Sequence, residues 1–253
     1  MPNTISCNLA SYGPYRQNAF KHLASIGLTN VEWEIPAPEE ADAFAQELAS
    51  HGLKATSLMA PSDLSSDAGL DSMRQSVATA SKLGVPMLFL SCKAGETPRA
   101  EALGRLAKMA DIAAEKGITL AVETHPDLAH NGTVAAQTLA EVGRPNLGIN
   151  YDTGNVYYYN QNINGIEELR KILDRVVSVH LKDTNGGFET WYFPTLGQGI
   201  VDYPQVFKLL NDRGFTGPFT MELEGIQGEN FTEAQQQQRV ADSLNYLKSI
   251  GVA

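Results

Sequence analysis

A helical stretch, then a glycine, then a short apolar run: this unit recurs along the chain and restricts its fold more than any other feature. Helix patterns over Arg16–Ile26, Glu39–His51, Asp67–Leu83, Pro98–Lys116 and Tyr203–Arg213 run into Gly27, Gly52, Gly84, Gly117 and Gly214. A glycine just past a helix supplies the left-handed residue that ends it. Between the helices lie runs that read as strands: Thr4–Leu9, Asn30–Ile35, Leu53–Met59, Val85–Leu90, Ile118–Glu123, Leu147–Asp152, Val176–Leu181 and Phe219–Glu222. Further helices are expected at Thr133–Val142, Gly165–Leu173 and Thr232–Ile250. The strands read as short apolar runs rather than clean alternations, as in a parallel sheet covered by helices. Eight strand–helix pairs in 253 residues is the count of a (β/α)₈ TIM barrel, an α/β fold. An open doubly wound sheet is the alternative. No glycine-rich phosphate loop follows the first strand, where the chain reads Asn8-Leu-Ala-Ser-Tyr-Gly13. With no low-complexity linker and no break in composition, residues 1–253 are expected to form one domain.

The formal charge of −10 repels phosphate backbones, so no nucleic-acid partner is expected. No apolar run approaches the roughly 20 residues a membrane helix needs, so no membrane partner is expected either. The start, Met1-Pro-Asn-Thr-Ile-Ser-Cys7, has no basic n-region and no apolar h-region, which points to a cytoplasmic protein. Cys7 and Cys92 lie far apart and make no metal-type spacing. Both are expected to be small buried side chains.

In a parallel barrel the reactive groups collect at the C-terminal ends of the strands. Strand five ends in Glu123, strand six in Asp152, strand seven in His180 and strand eight in Glu222. These residues are 29, 28 and 42 positions apart, one strand–helix unit each, with a longer loop in the last. Taken singly, each has an ordinary structural reading. A strand-end Glu can serve a salt bridge, Asp152 before Thr-Gly-Asn155 can make an Asx turn, and His180 can be a core histidine. Taken together, four such endings on successive strands point to one divalent metal ion, because burying that many carboxylates without a cation is costly. Three carboxylates and an imidazole form a hard, oxygen-rich donor set. It suits Mn²⁺ or Mg²⁺ first, with Co²⁺ or Zn²⁺ as alternatives.

The segments Val122-Glu-Thr-His-Pro126, Asn150-Tyr-Asp-Thr-Gly-Asn155, Val179-His-Leu-Lys-Asp183, Leu196-Gly-Gln-Gly-Ile-Val-Asp202 and Gly217-Pro-Phe-Thr-Met-Glu222 carry a resemblance. In this order they resemble the sugar phosphate isomerase/epimerase family, the xylose isomerase-like barrels. The resemblance implies that Glu123, Asp152, His180 and Glu222 are the metal ligands, and that Glu123 and Glu222 also exchange protons with substrate. It implies a small carbohydrate substrate and, in many relatives, a homo-oligomer. The family also includes dehydratases of inosose and dehydroshikimate, and apurinic endonucleases. The endonucleases use several zinc ions and extra histidines, whereas this chain has five histidines in all. The chain departs from the pattern at Asn155, where many relatives carry His three residues after the strand-six Asp.

The expected chemistry is isomerisation or epimerisation of a small keto sugar or sugar derivative through an enediolate, with Glu123 and Glu222 as the paired acid and base. A metal-dependent dehydratase begins with the same proton abstraction and is the alternative. Strand parity places i and i+2 on one face. It puts His125 with Glu123, Lys182 with His180, and Glu224 with Glu222. His125 and Lys182 are therefore candidate substrate-binding residues, and Glu32 joins them by the family pattern. Lys182 could equally pair with Asp183 or Glu224. Gly197-Gln-Gly199 reads either as a phosphate cradle or as a plain turn. The aromatics Trp191, Tyr192 and Phe193, and Tyr157 to Tyr159, read as a substrate cover or a subunit contact.

Overall fold

The computed structural model describes residues 3–253. Eight parallel strands close into a barrel in chain order, with the last beside the first. They are β1 (Thr4–Asn8), β2 (Asn30–Glu34), β3 (Lys54–Met59), β4 (Met87–Leu90), β5 (Thr119–Glu123), β6 (Leu147–Asp152), β7 (Val176–Leu181) and β8 (Pro218–Met221). Eight helices alternate with them: α1 (Ala19–Ser25), α2 (Ala41–Ser50), α3 (Ala68–Leu83), α4 (Arg99–Ala114), α5 (Gly132–Val142), α6 (Gly165–Ile172), α7 (Tyr203–Asn211) and α8 (Glu233–Ser249). The (β/α)₈ expectation therefore holds. Glycine past a helix does what the pattern implied: Gly84 caps α3 at φ 68° and Gly143 caps α5 at φ 64°.

The strands differ from the expected apolar runs in one respect. Several alternate, and the two sets of side chains have different neighbours. Ile5, Cys7, Val31, Ile149, Tyr151, Val179, Leu181, Phe219 and Met221 join the main apolar core together with the helices. The residues between them are Ser6, Asn8, Glu32, Asn150, Asp152, Ser178, His180 and Thr220, all buried. This second set faces the barrel axis. Only Met87, Phe89 and Ala121, with Met59 and Val177 beside them, make an apolar cluster of their own. The barrel interior is thus a hydrogen-bonding layer over much of its circumference: Ser178 donates to Asn150 at 3.0 Å and Thr56 to Ser6 at 3.0 Å. Burial of polar groups is tolerable on these terms.

The first expected helix is shorter than its pattern. Leu9–Asn18 forms 3₁₀ turns broken on either side of Pro14, at Gly13 (φ 53°, ψ −127°) and Tyr15 (φ −101°, ψ 15°), and α1 begins only at Ala19. Pro14 offers no backbone N–H, so a continuous helix cannot run through it. Two further elements carried no clear sequence signal. One is a single helical turn, Asn155–Tyr158; the other is a two-stranded antiparallel ribbon, Tyr192–Phe193 against Gly225–Ile226. Cys7 and Cys92 are buried, and burial pushes both thiols up to about 12. Among the described residues no helix is long and apolar enough to cross a membrane.

Gly148 in β6 shows how tightly the sheet meets its surroundings. A Cβ there would stand 2.5 Å from Val177 Cγ1 and 2.9 Å from the Arg175 carbonyl oxygen. Gly148→Ala is expected to destabilise the fold by about 1–3 kcal/mol, an overpacking cost, read as a lower urea midpoint with unchanged slope.

Candidate metal centre

The strand ends bring Glu123, Asp152, His180 and Glu222 together. Their ligand atoms all lie within 4.8 Å of one another, and all four residues are buried. Register explains the convergence. Asp152 pairs with His180 across β6 and β7, and His180 pairs with Thr220 across β7 and β8, which leaves Glu222 one step beyond. Thr153 fastens the β6 and β7 ends: its hydroxyl lies 2.8 Å from the Lys182 carbonyl and 3.0 Å from the Lys182 N–H.

Asp152 has both of the roles its sequence allows. Oδ1 accepts the N–H groups of Gly154 and Asn155, each at 2.8 Å, and so starts the helical turn after β6. Oδ2 points into the cluster, 3.0 Å from Lys182 Nζ. His180 is held from behind. Its Nε2 lies 2.7 Å from Glu32 Oε1, and a carboxylate only accepts, so the ring proton sits on Nε2. Nδ1 then faces Glu222 Oε2 at 3.0 Å, Glu123 Oε1 at 3.4 Å and Asp152 Oδ2 at 3.8 Å. Phe89 packs edge-on against the ring at 5.0 Å.

Asp152 Oδ2, His180 Nδ1 and Glu222 Oε2 are buried, and the ammonium of Lys182 stands 3.0 Å from the first and 2.8 Å from the last. One ammonium beside three converging carboxylates and an imidazole leaves room for a further cation, and the donor set is the oxygen-rich one that divalent ions favour. Without an ion the cluster draws protons and Lys182 instead. Burial works against charge on His180, yet Glu222 and Glu32 lift its pKa well above the usual imidazole value. Burial also works against charge on Asp152, yet Lys182 and His180 hold its carboxyl below the usual range.

The other expected site residues separate into two groups. His125 lines the cavity above the cluster, with Nε2 2.8 Å from the Tyr159 hydroxyl. Lys182 lines it too but is only 1% exposed. Its Nζ lies 2.7 Å from Glu224, 2.8 Å from Glu222 and 3.0 Å from Asp152, while Asn155 Oδ1 accepts from it at 3.1 Å. Of its two expected partners the structure selects Glu224; Asp183 faces elsewhere. The three carboxylates outweigh burial and raise the Lys182 pKa well above its ordinary value. Glu32 is fully buried beneath His180 and does not line the cavity, so it reaches the site through the imidazole. Burial alone would lift its carboxyl, but His180, Ser57 and Asn8 hold it below the usual range.

Asn8 is the residue sequence reading missed. Its side-chain amide donates to Glu32 at 2.9 Å and to Glu222 at 3.3 Å, tying β1 and β2 to the end of β8. Its place at an inward position ending β1 was the available signal. Trp33, Phe89, Tyr158, Tyr159, Trp191 and Phe193 form the aromatic wall of the cavity. Of the two readings given to the aromatic clusters, a cover over the site is the one this geometry favours.

Residues 20–250 match the xylose isomerase-like TIM barrel family. The chain belongs to this family. Among xylose isomerase-like relatives, a ketose 3-epimerase of Arthrobacter globiformis is 28% identical over 223 residues, 78% of this chain and 73% of the relative. An inosose dehydratase of Erwinia tasmaniensis is 32% identical over 139 residues, 46% of this chain. The chain spans 45% of that dehydratase's length. A solved xylose isomerase domain protein from Planctomyces limnophilus aligns with a TM-score of 0.78 at 22% identity, covering 99% of this chain and 98% of the other. At that identity the likeness is one of fold.

Residues that orient a metal-bound histidine typically change metal affinity 10–100-fold when lost. Glu32→Gln is therefore expected to weaken Mn²⁺ binding by roughly that factor, read from free Mn²⁺ in a spin-resonance titration, with unchanged circular dichroism. An unaltered affinity would show that Glu32 does not act through His180.

Proposed function

We propose that the chain is a divalent-metal-dependent isomerase or epimerase of a small keto sugar or sugar derivative, working by proton transfer through an enediolate. One observation carries this reading. Two glutamates, Glu123 from β5 and Glu222 from beyond β8, belong to the ion cluster and also line the one cavity above it. The donor set of three carboxylates and one imidazole favours Mn²⁺ or Mg²⁺. When bound, such an ion supplies positive charge beside the substrate carbonyl, where negative charge builds as the α-proton leaves.

The protein's own groups divide the remaining work. One of the two glutamates, as carboxylate, takes the proton from the carbon beside the carbonyl. The other, carrying a proton, returns one from its own side. Return to the same carbon inverts it; return to the neighbouring carbon moves the carbonyl. Asn8 and Lys182 fix the Glu222 carboxylate from two directions, at 3.3 and 2.8 Å. His125 lines the cavity with its Nε2 2.8 Å from the Tyr159 hydroxyl, which supports a role for the pair in binding a substrate hydroxyl. Tyr158, Trp191 and Phe193 meet edge to face or tilted at 5.1–5.9 Å and keep water from the reacting carbons.

The similarity to an inosose dehydratase supports a second reading, loss of water β to the carbonyl. It shares the first proton abstraction and differs in its product, which gains ultraviolet absorbance.

Deuterium wash-in over a panel of ketoses in D₂O with Mn²⁺, alongside metal analysis, tests the proposal. The wild type is expected to hold about one ion per chain and to exchange the α-proton of at least one sugar. Loss of a general acid or base costs typically 10²–10⁴-fold, so Glu222→Gln should slow exchange by that order. A wild type that binds no metal sinks the reading.

A further inference from the structure

We propose that this site takes a neutral, unphosphorylated sugar and rejects phosphate esters. The inference rests on the proton-transfer reading above and narrows its substrate class.

The cavity offers an anion no free cation. It encloses about 350 Å³, and its lining includes Glu34, Glu123, Glu222 and Glu224, with Lys182 the one lysine or arginine among the described residues. Lys182 is buried and already surrounded by Glu224, Glu222 and Asp152 at 2.7–3.0 Å. With Glu34 set against Arg16, the carboxylates of Glu123, Asp152, Glu222 and Glu224 number four against the three positive charges of Lys182 and a divalent ion. Arg16 lies at the rim but is held over the Trp33 ring at 5.0 Å and faces Glu34 at 3.6 Å. A phosphate monoester carries about −1.5 to −2 charges near neutral pH. Removing it from water into such a lining is unfavourable on both desolvation and Coulomb grounds.

A second, independent observation concerns Gly197-Gln-Gly199, the segment that the sequence offered as a phosphate cradle. The N–H groups of Gly197 and Gly199 both donate to Asp183 Oδ2, at 2.8 and 2.9 Å. Those of Thr184 and Val201 donate to Oδ1, at 2.9 and 3.2 Å. Asp183 is 1% exposed. The protein thus fills its own anion nest with a buried carboxylate, and an incoming phosphate would have to displace it. Gly199 also has no room for a side chain, since a Cβ would lie 2.2 Å from Asp183 Oδ1. The aromatic wall fits the same substrate. Aromatic faces suit the C–H surfaces of a sugar and give nothing to a hydrated dianion.

The test compares free ketoses with their terminal phosphate esters, D-fructose with its 6-phosphate and D-ribulose with its 5-phosphate. The Mn²⁺-loaded protein is followed by deuterium exchange, and binding by tryptophan fluorescence. At least one free ketose should exchange with a kcat/KM 100-fold or more above its ester. An ester that exchanges as well as its free sugar overturns this inference while leaving the proton-transfer reading intact. If nothing exchanges, the proton-transfer reading fails and binding decides: quenching by a free sugar and not by its ester upholds the inference. Tighter binding of the ester, or binding of neither, overturns it. Glu34→Lys at the rim should raise the ester's efficiency relative to the free sugar about tenfold; an unchanged ratio shows that charge is not what excludes it.

Discussion

Carboxylates repel one another most strongly where water is scarce, and the mouth of this barrel holds Glu32, Glu123, Asp152 and Glu222 with less than a tenth of any residue exposed. Nothing about strand packing alone favours that arrangement. Each carboxylate needs a hydrogen-bond donor or a cation, and the structure supplies them at fixed places. Glu32 has Asn8, Ser57 and the His180 ring. Asp152 has two backbone amides on one oxygen. Lys182 answers part of what is left. Its ammonium stands 3.0 Å from Asp152 Oδ2 and 2.8 Å from Glu222 Oε2, and a divalent ion among Glu123, Asp152, His180 and Glu222 would balance the charge that one lysine leaves. A closed barrel is what makes this sustainable, because its parallel strands cannot move apart to relieve the repulsion.

The same constraint accounts for the polar barrel interior. A centre of this charge lying on an apolar plug would have no donors beneath it. Here Asn8, Ser57 and Asn150 lie at inward positions just below the ligands, and two of the three bond directly to Glu32. The apolar driving force is moved outward, between the sheet and its ring of helices. Only the arc around Met87, Phe89 and Ala121 stays apolar inside, and from there Phe89 reaches the His180 ring.

The clustering of Glu123, Asp152, His180 and Glu222 was legible in the sequence because barrel geometry brings strand ends together, and each of these side chains lies at or just past the end of an apolar run. The supporting residues were less legible. Glu32 is followed by Trp33 and Glu34, and all three end the same strand; sequence cannot say which of them sits under an imidazole 148 positions away. Asn8 fell inside the expected first strand with no role of its own, and its Oδ1 accepts from the Ala10 N–H at 2.9 Å. Its second task depends on β1 closing against β8, a contact between chain ends. The ribbon of Tyr192–Phe193 with Gly225–Ile226 escaped for the same reason, since two residues on each side leave no periodicity to read. Gly197 and Gly199 were ambiguous because a phosphate and a carboxylate ask the same thing of a backbone amide.

Asn155 shows how the departure from the family pattern fits this chemistry. Its side-chain amide donates to the Thr124 carbonyl at 3.1 Å, and its Oδ1 accepts from Lys182 at 3.1 Å. A neutral imidazole has only one acceptor nitrogen, on a longer side chain, and a protonated one would have none and would repel the lysine. Asparagine therefore lets Lys182 lie inward, among Asp152, Glu222 and Glu224, with Gly154 leaving room for its stem: a Cβ there would meet Lys182 Cγ at 2.7 Å. The site thus carries a fixed ammonium on the side where relatives place a histidine. That ammonium lowers the negative charge of the mouth but, being fully engaged, adds no anion-binding capacity. Charge balance at the four clustered residues, and with it the proposed selection against phosphate esters, rests on the same pair of residues.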